Sequence, residues 1–272
     1  MDVPVYRSAT GAAAAPADAA DAVGPAAQPV RDLLWSFRGR VPYREAEALQ
    51  AALRQGLRER AGSRGESVPR EGAGGEHLLL LEHPHVYTLG RNADAADVLA
   101  DAGWLATRGI EVVESDRGGQ VTYHGPGQLV GYPIVDLSPD RRDVRRYVRD
   151  LEAVLIRTLA DYGIGAGTRE GGAVVGVWVG GEKIAAIGVH LSRWITTHGF
   201  ALNVATDLSL YAGIVPCGLR AAGVTSMGKL LGTPPPLPEV AARLASHFAA
   251  VFGRRLVAAP APAAPGAAAW QR

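Results

Sequence analysis

Between Leu33 and Phe252 the apolar positions of this chain follow two rhythms, short or alternating runs that suit strands and three-to-four spacings that suit helices. LLWSF from Leu33 reads as a strand. Behind Pro42, Tyr43, Ala46, Leu49, Leu53 and Leu57 recur on one helical face, and this helix is expected to end near Gly62. His77 to Leu81 reads as a buried strand, Val86 to Leu89 and Ile110 to Ser115 as further strands, and the stretch Arg117 to Asp136 ends in another. Val144, Tyr147, Val148, Leu151, Val154, Leu155 and Leu159 share one face of a helix from about Asp143 to Tyr162. Ala173 to Val179 and Lys183 to Leu191 form a hairpin across Gly180-Gly181-Glu182, and Phe200 to Val204 is a short strand. Leu208 to Leu219 is irregular, and Leu237 to Phe252 is an amphipathic helix with Pro238 in its first turn.

Strands in pairs, with helices between and after them but no strict βαβ alternation, predict an α+β domain of mixed β-sheets packed with helices. The domain is expected over residues 30–256. Residues 1–29 and 257–272 are rich in Ala and Pro and read as disordered tails, because such segments bury too little apolar surface to offset their ordering entropy. The polar, Gly-rich segment 63–76 reads as a mobile surface insertion. No phosphate-loop or dinucleotide-binding signature occurs, since the glycines near Gly125 and Gly127 sit in HGPGQ.

Charge narrows the partners. With 28 basic and 27 acidic residues the chain has no global attraction for nucleic acid or membrane surfaces. A local exception is Arg142, Arg145, Arg146 and Arg149, grouped near one helix start, which read either as a solvated face or as a docking face for an acidic partner. The single cysteine, Cys217, permits no intrachain disulfide, and with no signal peptide or membrane span in view a cytoplasmic protein is expected. His83 and His85 flank Pro84 without a third convergent ligand, so no metal is assigned.

The densest polar chemistry lies in RGGQVTYHGPGQLVGYPIVD, which packs five glycines, two glutamines, Arg117 and His124 into a lead-in to a strand. Glycine pairs such as Gly118-Gly119 let a backbone approach a ligand closely, so this stretch reads as a pocket lip. Cys217, in a Pro-Cys-Gly turn, is the strongest nucleophile, and its thiol needs a positive neighbour to ionise near neutrality. Lys183, at the start of an otherwise apolar strand, is a candidate for that neighbour, and its neutral amine is a base. His124 either serves in the same way or orients its loop; the orienting role fits HGPG better.

RGGQVTYHGPGQLVGYPIVDL, GGEKIAAIGVHL, THGFALNV and PCGL, in this order, resemble the lipoyl(octanoyl) transferase family, over roughly Leu33 to Phe252. The resemblance implies the fold of the biotin and lipoate protein ligase catalytic domains. It also implies acyl transfer from octanoyl-acyl carrier protein, through a thioester on Cys217, to the target lysine of lipoyl domains in 2-oxoacid dehydrogenase complexes and of the glycine cleavage H protein. Lys183 then lowers the pKa of the thiol and moves protons. The implied substrate-binding residues are Arg117, Gly118, Gly119, Gln120, Val121, Thr122, Tyr123 and His124, then Ala186, Ile187 and Gly188, and finally Gly199, Phe200 and Ala201. Neither cofactor nor ATP is implied, and the chain is expected to act as a monomer. Backbone N–H groups near Gly188 or Gly218 are the implied oxyanion donors. Leu219 and His85 depart from the family pattern. The alternative, an ATP-dependent lipoate or biotin ligase on the same fold, has no use for an acyl-cysteine.

Overall fold

The computed structural model describes residues 30–62, 75–138, 140–169, 175–215 and 223–259. In chain order come β1 (Arg31–Arg40), α1 (Tyr43–Gly62), β2 (Glu76–Glu82), β3 (Val86–Leu89), α2 (Ala102–Arg108), β4 (Glu111–Glu114), β5 (Val121–His124), β6 (Gln128–Ile134) and α3 (Val144–Ala160). There follow β7 (Gly176–Val179), β8 (Glu182–Ser192), β9 (Ile195–Asn203), α4 (Met227–Leu231), α5 (Leu237–Phe252) and β10 (Arg254–Ala258). Seven strands form one sheet in the order β10-β1-β2-β6-β9-β8-β7, and three form another, β4-β3-β5. β1 runs parallel to both β10 and β2, and β3 parallel to β4; the remaining pairs are antiparallel. The architecture is α+β with mixed sheets.

Each helix begins and stops for local reasons. Asp143 accepts from the Arg146 N–H and Asp101 from the Trp104 N–H, satisfying donors that a helix start leaves open. Gly109 and Gly253 end α2 and α5 at φ 59° and 61°, a left-handed cap that costs a glycine little. The apolar face of α3 buries Tyr147, Leu151, Val154, Leu155 and Leu159. Val144 shares that spacing but is exposed, because it opens the first turn.

Helices α3 and α5 cover one face of the large sheet, where Leu129, Leu155, Leu202, Leu244 and Phe248 pack in one cluster. Helix α1 covers part of the other face through Ala46, Leu53 and Leu57 against Leu79, Val130 and Ala201. The small sheet has its own core of Tyr87, Tyr123, Leu210 and Ile214.

Three boundaries differ from the sequence reading. Glu76, assigned by its polarity to the insertion, instead opens β2 and is buried. Its carboxylate accepts from Arg254 Nε and Arg31 Nη1, each at 2.6 Å, and from the Asp136 N–H at 3.2 Å, so charge pairing offsets its burial. The last strand runs to Ala258, beyond the boundary drawn at 256, because Leu33, Leu34 and Trp35 of β1 pair with Leu256, Val257 and Ala258. β9 begins at Ile195 rather than Phe200, and its polar Thr196, Thr197 and His198 are all buried. The insertion residues 63–74 and the tails 1–29 and 260–272 lie outside the described residues.

Candidate active site

β8 and β9 pair through their smallest residues, Ala186 with Ala201 and Gly188 with Gly199. This leaves a trench on the sheet face that α1 only partly covers. A cavity lies there, lined by Arg117, Gly119, Gln120, Val121, Thr122 and His124 from the Gly-rich stretch, and by Ala186, Ile187, Gly188, Gly199, Phe200 and Ala201 from the two strands. Tyr43, Val130, Tyr132 and His198 complete it. Two residues of the expected set do not line it. Gly118 serves in the wall behind, where its N–H donates to the Val189 carbonyl at 3.0 Å and its carbonyl leaves Gly188 no room for a Cβ (2.8 Å). Tyr123 points to the opposite side of β5, into the small-sheet core, and its hydroxyl pairs with His85 Nδ1 at 2.8 Å.

Arg117 is locked rather than mobile. Its guanidinium donates to the Thr88 carbonyl at 2.6 Å and to Thr88 Oγ1 at 2.8 and 3.0 Å, while its backbone carbonyl accepts from the Arg91 N–H at 3.0 Å. Gly90 and Asn92 likewise donate to the carbonyls of Gln120 and Gly119. The turn at 90–92 therefore clamps the pocket lip, and Gly90 must be a glycine, since a Cβ would stand 2.4 Å from the Gly119 oxygen.

His124 Nδ1 sits 2.7 Å from Gln128 Oε1, and Gln128 Nε2 donates to the Tyr123 carbonyl at 3.1 Å and to Asn203 Oδ1 at 2.9 Å. The amide oxygen can only accept, so Nδ1 carries the proton and Nε2 is bare. Burial, helped by His83 and Arg117, holds His124 well below its ordinary value, and the ring is neutral. Asn203 in turn donates to the Thr225 carbonyl at 3.0 Å.

That last bond leads to Lys183. The Thr225 N–H donates to the Lys183 carbonyl at 3.0 Å, and the Lys183 N–H donates to the Gly223 carbonyl at 2.9 Å. Lys183 is buried, its Nζ donating to the Val175 carbonyl at 3.2 Å and lying 5.1 Å from the Trp178 ring centroid. Cys217, with Gly218 and Leu219, lies outside the described residues. Its segment leaves Val215, whose N–H donates to the Asp97 carbonyl at 2.7 Å, and returns at Gly223 against Lys183. Among the described residues one grouping has donor spacing suited to a cation: Glu47, Asp116 and His198, with donor atoms within 4.8 Å of one another. A hydrogen bond of 2.6 Å between Asp116 and His198 Nε2 already occupies that imidazole nitrogen.

Residues 43–249 match the family model of the lipoyl protein ligase A/B catalytic domain. An octanoyltransferase of Solibacter usitatus is 54% identical over 79% of this chain and 90% of its own length, and one of Geobacter metallireducens is 43% identical over 86% and 99%. A Myxococcus xanthus octanoyltransferase is 56% identical, the match spanning 71% of this chain and 55% of that protein. The chain belongs to the lipoyl(octanoyl) transferase family. It is an enzyme of that type, an acyltransferase. In fold it is similar to a lipoate protein ligase of Thermoplasma acidophilum (TM-score 0.63, 15% identity, 84% of this chain and 88% of that one). It is also similar to lipoate-protein ligase A bound with ATP (TM-score 0.61, 16% identity, 84% and 90%).

Sequence reasoning named neither Tyr43 nor His198 as a site residue, and placed Val130 and Tyr132 there only as part of the stretch Arg117 to Asp136. Tyr43 carries only a periodicity signal, which core packing explains equally well. His198 stands inside the THGFALNV motif, and its adjacency to Gly199 was the available clue.

His83 is wholly buried behind the pocket. Its Nδ1 lies 2.6 Å from the Val41 carbonyl and its Nε2 2.7 Å from the Tyr132 hydroxyl. A carbonyl can only accept, so His83 is the Nδ1–H tautomer and Tyr132 donates to Nε2. Burial lowers His83 to about 4. His77 is lowered to about 4 by burial, with Arg38 and Arg60 adding to it. A histidine whose folded pKa lies below its unfolded ~6.5 favours folding above pH ~6.5 and loses that advantage as pH falls toward 4. Urea unfolding is therefore expected to show stability falling by about 2 kcal/mol or more from pH 7 to pH 5; equal midpoints at the two pH values would contradict this.

Proposed function

We propose that this enzyme takes its acyl group from octanoyl-acyl carrier protein, holds it as a thioester on Cys217, and delivers it to the target lysine of lipoyl domains and of the glycine cleavage H protein. The observation that carries the reading is the position of Lys183: a buried lysine whose own backbone N–H and C=O bond the chain at Gly223 and Thr225, just past the PCGL segment. An ammonium held there favours a thiolate on the neighbouring segment.

In the first half-reaction Cys217 Sγ attacks the thioester carbonyl carbon. The bond from that carbon to the carrier's pantetheine sulfur breaks, and Lys183 gives its proton to the departing thiolate. Lys183 is then a neutral amine. In the second, the incoming lysine, with a free pKa of ~10.4, gives one proton to Lys183 and attacks the acyl-enzyme. The amide forms, a second proton leaves to solvent, and the Cys217 thiolate and Lys183 ammonium are restored. Thioester to amide is downhill, so neither ATP nor metal enters the scheme. The trench between Ala186–Gly188 and Gly199–Ala201 would hold the acyl chain, whose burial contributes about 5 kcal/mol at ~0.8 per methylene.

Arg142, Arg145, Arg146 and Arg149 are exposed, and they are the proposed docking face for the acidic carrier. No helix among the described residues is long and apolar enough to cross a membrane. The proposed setting is cytoplasmic and the proposed active unit a monomer.

The reading is tested by intact-mass spectrometry of the chain quenched after mixing with octanoyl-acyl carrier protein, followed by peptide mapping. One octanoyl adduct on the peptide containing Cys217, discharged on adding a lipoyl domain, is the expected result. Transfer proceeding with no adduct at any quench time would overturn the covalent route.

A further inference from the structure

His198 departs from the geometry of its strand. Alternation along β9 puts Gly199 and Ala201 on the trench face, so His198 should point to the other side of the sheet. It has φ 54°, in the left-handed region, and its side chain lines the cavity instead. The ladder to β6 lapses at this point: β6 and β9 pair from Gly131·Phe200 outward and meet again where Thr196 donates to the Val135 carbonyl. Between these, Pro133 has no N–H to offer.

Three contacts hold the turned residue. The His198 N–H, left without a strand partner, donates to the buried Gln50 Oε1 of α1 at 2.7 Å. Nε2 donates to Asp116 at 2.6 Å. The ring meets Tyr132 edge-on, with centroids 6.0 Å apart, and Tyr132 is itself fixed by His83.

The position along the sheet decides what this does. His198 pairs with Val189, whereas the Lys183 Nζ folds forward beside Gly176, where a Cβ would stand 3.5 Å from it, and Gly176 pairs with Ala186, three residues or about 10 Å short of Val189 at ~3.3 Å per residue. The seven C–C bonds of an octanoyl chain advance about 9 Å, at roughly 1.3 Å for each bond of ~1.5 Å. A chain whose carbonyl sits within reach of the Lys183 side chain therefore runs past Ala186 and Gly188 and ends against His198. We infer that His198, braced by Asp116, Gln50 and Tyr132, is the end stop that sets the acyl-chain length this enzyme accepts. The inference rests on the proposed function for the direction of the chain, since Lys183 marks the reacting end.

The test compares His198→Gly, which adopts φ 54° without strain, with His198→Asn, a shorter side chain that also tolerates the left-handed region. Binding of octanoic and dodecanoic acid is measured by calorimetry, beside transfer from octanoyl- and dodecanoyl-carrier protein. Each methylene newly buried is worth roughly fourfold, so both variants are expected to raise the dodecanoyl preference over octanoyl at least tenfold in binding and in kcat/KM. An unchanged ratio in either folded variant, confirmed by native thermal melts, would overturn the end stop. The binding arm needs no turnover, so failure of the native chain to transfer octanoyl groups would sink the proposed function and leave the end stop judged by binding alone.

Discussion

Lys183→Met is expected to lower kcat/KM for octanoyl transfer by about 10²–10⁴-fold, the usual worth of a positioned acid–base group. Methionine keeps the length and apolar stem of the lysine but removes the charge and the proton. The burial of Lys183 against Trp178 and the Val175 carbonyl makes the stem's packing replaceable. Lys183→Arg is expected to fare no better, because a guanidinium stays protonated and cannot serve as the base of the second half-reaction. The alkylation rate of Cys217 against pH provides a second readout: the expected result is a thiol titrating below the free value of ~8.5 in the native chain and returning toward it in Lys183→Met. Cys217→Ala is expected to abolish both adduct and transfer. Full activity in Lys183→Met would remove Lys183 from the chemistry, whatever the fate of the thiol.

Glu76→Ala is expected to destabilise the domain by about 3–5 kcal/mol, the cost of stranding buried charge. Desolvation raises the Glu76 carboxyl above its ordinary value despite two guanidiniums, while the same carboxylate raises Arg254. The pair is thus costly to build and costlier to break. Arg254 is almost fully buried, and removing its partner leaves it with Asp140 at 3.1 Å and the Phe252 carbonyl at 2.8 Å. Chemical denaturation should show the loss as a lower midpoint with unchanged slope. A double variant, Glu76→Met with Arg254→Met, is expected to recover much of it, because an apolar pair carries no desolvation penalty. A change under 1 kcal/mol in Glu76→Ala would show that the interaction contributes little.

How far the sequence spoke depended on whether a signal was local. α5 could be read residue for residue, since its apolar face and Pro238 act within a few turns. The β7–β8 hairpin was legible from Gly180 and Gly181, both at positive φ. Of the stretch Arg117 to Asp136, eight residues line the cavity, because glycines there admit the close approaches that the wall requires. β10 escaped notice because RRLVA is short and adjoins an Ala/Pro-rich segment; its reason to be a strand lies in β1, more than two hundred residues earlier. α2, at seven residues, gives periodicity too little length to register. His198 was hidden by the alternation itself. Period two hides a histidine beside a trench-facing glycine, and only the left-handed backbone returns it.

The parallel pairing of β10 with β1 also sets an order of assembly on the ribosome. β1 emerges first and finds β2 on one side, but its other edge stays open until Arg254–Ala258 has been synthesised. An open strand edge is a template for pairing with other chains. The same late segment carries Arg254, which reaches across β1 to Glu76 at the head of β2. A nascent chain lacking its last strand therefore has both an unsatisfied edge and an underpaired buried carboxylate. β10, itself the edge of the sheet, thus supplies both the second partner of β1 and the guanidinium that Glu76 needs.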